Sequence, residues 1–250
     1  MAISGGGLIT VVVVDDHRII REGVRGVLEP QPDMQLVGEG WVGDHVEKLV
    51  REHRPKVLLL DLRMKQSEQP GSDRNSFKVL PTIKHILQIA PDLNIIILTA
   101  HLSLAQVEGA FEKGARGYLL KDDMESLSLP NAIRSVCAGR LLFSAKVKKV
   151  INTDGGRLTN DSPLTRRQQE IILTVSTNLD LPYSLHAETL EITEASLRNH
   201  LSNIFRELQV TNLASCIVRC MRLGILPRDL EELHQKLIVS CFPITRRKTK

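Results

Sequence analysis

A chain of 250 residues, 42% hydrophobic and 25% charged, is long enough for two modest domains and has the composition of neither a disordered chain nor a membrane protein. No apolar run reaches bilayer length, and the start, with Gly5-Gly6-Gly7, lacks the basic and apolar stretches of a secretory signal, so a cytoplasmic location is expected. The net charge of +4 hints only weakly at a polyanionic partner, because the basic clusters at Lys146, Lys148, Lys149 and Arg157, and at Arg246-Arg247-Lys248 with Lys250, suit a solvated linker and tail equally well.

After a leader over 1–10, Val11 to Val14 reads as a strand that ends in Asp15-Asp16. His17 to Glu29 follows as a helix whose apolar face holds Ile19, Ile20, Val24, Val27 and Leu28. Gln35 to Gly38 is a short strand and Val42 to His53 a second helix. The run Lys56 to Leu62 has no polar alternation, the mark of a central parallel strand covered on both sides, and it closes on Asp61. A helix over Phe77 to Ile89, a strand over Asn94 to Leu98 ending in Thr99, and a helix over Leu104 to Lys113 stopped by Gly114 come next. Gly117 to Leu120 is the fifth strand, followed by Lys121 and a helix over Glu125 to Ala138, in which Pro130 is tolerable only in the first turn. Five strands alternating with five helices over 11–143 specify a doubly wound parallel sheet. Residues 144–162, rich in Lys, Asn, Asp and Gly with no sustained apolar period, read as a linker.

From Pro163 to Leu226 the periods are helical only. Thr165 can cap a helix over Arg166 to Ser176, a short helix lies near Leu185 to Leu190, and Thr193 caps a longer one reaching Leu208. Leu213, Cys216, Ile217, Cys220 and Met221 mark a fourth, with an amphipathic segment over Leu230 to Val239 and a basic tail completing 227–250. The cysteines offer no metal-ligand spacing and are expected to be buried, reduced thiols.

Three carboxylates (Asp15, Asp16, Asp61), the Thr99 hydroxyl and the Lys121 ammonium thus meet above one sheet edge, the edge where open α/β sheets bind ligands. Any one of them is explained as a helix cap or surface charge; their convergence is not. Crowded carboxylates require a cation or a raised pKa, and a hard ion held by carboxylates and waters fits Mg²⁺. Asp61 can then attack phosphorus as a carboxylate nucleophile, with Lys121 and Thr99 holding the phosphoryl oxygens. A haloacid-dehalogenase enzyme would need a second acid where Arg63 stands, and a dinucleotide site would need glycines after the first strand, where Asp15-Asp16-His17 stands.

Asp15-Asp16-His17, Leu60-Asp61-Leu62-Arg63-Met64, Leu98-Thr99-Ala100-His101 and Gly117-Tyr118-Leu119-Leu120-Lys121-Asp122 together resemble the receiver domain of two-component response regulators. Leu164-Thr165 and the run Ser196 to Phe205 resemble the LuxR-type helix-turn-helix, in the arrangement of the NarL/FixJ subfamily. The resemblance implies a flavodoxin-like (βα)5 receiver followed by an all-α DNA-binding domain, a regulator and not an enzyme. It implies that a sensor histidine kinase phosphorylates Asp61, that Asp15 and Asp16 with Asp61 hold Mg²⁺, and that Thr99, Tyr118 and Lys121 bind the phosphoryl group and transmit the change. On the second helix of the motif, Ser196, Arg198, Asn199, His200 and Asn203 are the candidate contacts to double-stranded DNA, bound as a homodimer.

Two departures stand out: the polar loop Lys65 to Asn75 is several residues longer than usual, and His186 takes a normally apolar place beside a turn, Leu181-Pro182-Tyr183, that carries one extra residue. Two competing readings remain. One is a regulator whose receiver only dimerises; the other is a helical bundle for protein contacts, since Leu158 to Leu226 has fewer Lys and Arg than Asp and Glu. At rest the receiver is expected to cover either the recognition helix or the Leu213–Met221 stripe, and activation is expected to turn Tyr118 inward.

Overall fold

The computed structural model describes residues 7–69, 73, 76–123, 128–153 and 162–226. The C-terminal segment, the basic tail and Arg157 lie outside them.

Six parallel strands form one sheet in the order β2-β1-β3-β4-β5-β6. They are β1 (Ile9–Val14), β2 (Met34–Gly40), β3 (Val57–Leu60), β4 (Asn94–Thr99), β5 (Gly117–Leu120) and β6 (Leu142–Phe143). The alternation of side chains splits the apolar runs between two layers. Val11, Val13, Leu59 and Leu98 pack with helices α1 (Arg18–Leu28) and α5 (Leu129–Cys137). Val12, Val14, Leu58, Leu60 and Ile97 pack on the other face with α2 (Asp44–His53), α3 (Val79–Ile89) and α4 (Leu104–Glu112). The sheet is therefore doubly wound, and Pro130 falls in the first turn of α5.

Three differences from the sequence reading have physical causes. Strand β6 is a sixth strand, two residues long, whose Phe143 packs on Phe111 with ring centroids 4.9 Å apart. The segment read as a polar linker begins with helix α6 (Ala145–Thr153), whose fully buried side chains among the described residues are Val147 and Ile151, one turn apart among lysines. On α1 only Val24 and Leu28 are buried; Ile19 is 76% exposed and Val27 is exposed too, because the five apolar positions span more than one face.

The helical unit comprises α7 (Arg166–Val175), α8 (Tyr183–Thr189), α9 (Glu194–Leu208) and α10 (Leu213–Arg222). Thr165 and Gln168 close a reciprocal capping box at α7, and the Thr193 hydroxyl accepts from Ser196 N at 3.1 Å to cap α9. Among the described residues no helix is long and apolar enough to cross a membrane.

Candidate functional site

Strand register delivers the acidic cluster. Val14 of β1 pairs with Leu60 of β3, so Asp15 and Asp61 leave adjacent strands at the same level. Ligand atoms of Asp15, Asp16, His17 and Asp61 all lie within 4.8 Å of one another. Lys121, just after β5, reaches across with Nζ 2.7 Å from Asp15 Oδ2 and 3.0 Å from Asp61 Oδ2. His17 Nδ1 sits 2.8 Å from Asp16 Oδ1, and Arg21 donates to the Asp15 carbonyl at 2.8 Å. Burial pushes the Asp61 carboxyl above its ordinary range, with the Lys121 ammonium opposing that shift and Asp15 adding to it. Three carboxylates thus face one ammonium in a largely buried site, and this oxygen-rich donor set fits a hard divalent cation.

Thr99 and Tyr118, both fully buried, hold the two backbone polar groups of one residue, His101. Thr99 Oγ1 accepts from His101 N at 3.2 Å, and the Tyr118 hydroxyl donates to His101 O at 3.0 Å. Tyr118 is therefore already inward, contrary to the expectation that it turns in on activation; burial also holds its hydroxyl pKa above the ordinary value. The described start of the long loop is tied to the turn between β2 and α2. Gly43 N and Asp44 N donate to the Lys65 and Gln66 carbonyls at 2.8 Å, and Trp41 Nε1 donates to Glu68.

In the helical unit Arg198, Asn199 and Asn203 are exposed on α9, while Ser196 and His200 are half-buried. Sequence reasoning missed Ser202 and Arg206, both exposed; steps of four from Arg198 place them on its face of the helix, a spacing that could have found them. His186 is buried, its ring Nε2 3.0 Å from the Asn178 carbonyl, and burial lowers its pKa.

Among the described residues the two units meet at α10 and around Gly139. Helix α10 packs on α4 and α6, and its Cys216, Ile217, Cys220 and Met221 are fully buried there and against the helical core. Asn212 Nδ2 donates to the Phe111 and Glu112 carbonyls at 3.2 and 2.9 Å, and Arg222 pairs with Glu108 at 2.8 Å. Elsewhere Arg116 pairs with Asp180 at 2.6 Å, and Leu179 N donates to Gly139 O at 2.9 Å. Gly139 has φ +75°, and a Cβ there would stand 2.2 Å from Asn178 Oδ1, so only glycine permits this approach. Of the two surfaces expected to be hidden, the structure covers the stripe and leaves the outer face of α9 open.

The family described as "Response regulator receiver domain" matches residues 11–129. Over 222 residues the chain is 30% identical to the transcriptional regulatory protein LiaR of Bacillus subtilis (strain 168), covering 86% of this chain and 98% of that protein. It is 27% identical to the transcriptional regulatory protein DegU of Brevibacillus brevis over 86% of this chain and 94% of that one. Against the nitrate/nitrite response regulator protein NarL of Escherichia coli (strain K12) it is 27% identical, with 84% and 93% covered.

Proposed function

The chain belongs to the response regulators of the NarL/LuxR type, and from that premise we propose that phosphorylation of Asp61 by a sensor histidine kinase controls its sequence-specific binding to DNA. The convergence of Asp15, Asp16 and Asp61 around Lys121 carries this reading. Asp15, Asp16 and Asp61 would hold Mg²⁺, which supplies charge neutralisation for the incoming phosphoryl group. An Asp61 oxygen attacks the phosphorus of the kinase phosphohistidine, the P–N bond breaks, and the acyl phosphate forms as the imidazole leaves. Lys121, released from its pairing with the carboxylates, then holds a phosphoryl oxygen.

Thr99 connects this chemistry to α4. A Thr99 hydroxyl drawn toward the phosphoryl group gives up His101 N, and of the two side chains that hold the His101 backbone only Tyr118, on its carbonyl, then remains. His101 lies just ahead of α4, the helix that holds α10 through Glu108, Phe111 and Glu112. Loosening α4 frees the α10 stripe to meet a second copy, and a homodimer places two α9 helices on two half-sites of double-stranded DNA. On α9 the Arg198 guanidinium reads a base, with Asn199, Asn203, Ser202 and Arg206 beside it on bases or phosphates and Ser196 at the helix start on a phosphate.

Acetyl phosphate with Mg²⁺ should add one phosphoryl mass to the wild type and none to Asp61→Asn, and DNA affinity should rise only in the former. Equal modification of both proteins removes the assignment.

A further inference from the structure

The guanidinium of Arg198 is held on two sides. Its Nε and Nη2 both donate to Glu194 Oε1, at 2.9 and 2.6 Å, one turn earlier on α9. Its central carbon lies 4.8 Å from the ring centroid of Tyr183, the first residue of α8. An unrestrained arginine on an exposed helix face samples many rotamers and gives up that freedom when it binds. Here a planar cation rests on a ring face while a carboxylate occupies one edge. Of the five N–H donors, the carboxylate takes those along the Nε/Nη2 edge. The Nη1/Nη2 end remains, with two parallel N–H groups directed away from Glu194, the fork that matches the O6 and N7 acceptors of guanine.

We propose that Tyr183 is a positioning residue for base recognition, presenting the Nη1/Nη2 end of Arg198 to guanine in the major groove; this rests on the assignment of Arg198 as a base-reading residue. Tyr183 lies outside the recognition helix and need not touch DNA to do this. It sits in the turn, Leu181-Pro182-Tyr183, where the chain departs from its family pattern, so specificity at that base pair depends on a residue of the scaffold helix.

Selection from a pool of random duplexes, using the full-length protein with beryllofluoride and Mg²⁺, defines the enriched sequence, and competition against its single-base-pair variants gives the preference at each position. Arg198→Ala should erase the preference at one G·C pair. Tyr183→Leu, which keeps bulk and loses the ring face, should weaken the preference at that same pair by about two- to fivefold, with other pairs, the salt slope and the melting temperature unchanged. Tyr183→Phe should restore it. If Arg198→Ala keeps every preference, or the wild type enriches no sequence, the base-reading assignment fails and the proposal falls with it. If Arg198→Ala erases the preference while Tyr183→Leu leaves that pair untouched or weakens all duplexes alike, Arg198 still reads the base and the positioning role is overturned.

Discussion

Asn212→Asp separates two tasks of one side chain. Asn212 Oδ1 caps α10 by accepting from Ser215 N at 2.8 Å, while Nδ2 donates to the last carbonyls of α4. Aspartate caps a helix about as well as asparagine, so α10 should stay intact. The donor is replaced by an anion facing two carbonyl oxygens at the negative end of the α4 dipole. Two lost hydrogen bonds at about 1 kcal/mol each, with about 0.5 kcal/mol of dipole repulsion, set about 2.5 kcal/mol against the closed arrangement. That is about 60-fold in the ratio of closed to open forms. Apparent affinity follows the fraction of chains in the competent form. Unmodified Asn212→Asp should therefore bind the selected duplex about tenfold or more tighter than unmodified wild type, and its gain on beryllofluoride treatment should shrink by the same factor. Fluorescence anisotropy at one fixed salt concentration reads both numbers, and circular dichroism checks the cap. An affinity equal to that of unmodified wild type, with helix content unchanged, would show that the α4–α10 contact does not restrain DNA binding.

Thr99→Ala should weaken activation in the full chain, whereas a fragment beginning at Asn160 should bind DNA without phosphate and feel no such loss; titrations of the three proteins compare them, and a fragment no better than the resting chain points instead to activation by receiver dimerisation. Burial keeps the His186 imidazole neutral and its pKa below the ordinary 6.5. The folded chain then binds fewer protons than the unfolded one, so this contribution to stability is present above about pH 6.5 and lost as pH falls below it. Urea melts at about pH 8 and about pH 5.5 should show that loss. His186→Leu should flatten it while costing about 1 kcal/mol at the higher pH for the unpaired Asn178 carbonyl, and a flat wild-type profile contradicts the neutral, buried ring. Arg198→Ala should cost about 1–3 kcal/mol on the selected duplex and little on random duplex, as for one bidentate base contact. Arg206→Ala should weaken both alike and reduce the salt slope by about one, which salt titrations will separate.

The three central strands were legible because Val11–Val14, Val57–Leu60 and Ile95–Leu98 are unbroken apolar runs, and a parallel strand covered on both faces needs nothing else. The acidic cluster was legible for the same reason: a strand end fixes where the next polar residue emerges, as Val14 opposite Leu60 does for Asp15 and Asp61. Strand β6 and helix α6 were not, since two residues show no alternation and two buried positions one turn apart show no period. Tyr118 was misjudged because its rotamer depends on the His101 carbonyl, a contact between β5 and the loop after β4 that no local pattern encodes. Nor does any pattern mark the seam between the two units. Asn212, Arg222, Asp180 and Gly139 act through one or two polar or close contacts to residues distant in sequence, and each alone reads as a cap, a surface charge or a turn.

The central claim is that modification at Asp61 separates α4 from α10. Distance measurement within one chain, between genetically encoded labels at the exposed positions Ala105 and Leu223 and with unlabelled protein in excess to dilute pairs between copies, tests it most directly. With beryllofluoride and Mg²⁺ the wild-type distribution should move from one short distance to a longer, broader one, while Asp61→Asn stays at the short distance. A wild-type distribution that stays short while Asp61 is occupied and DNA affinity rises would contradict the account.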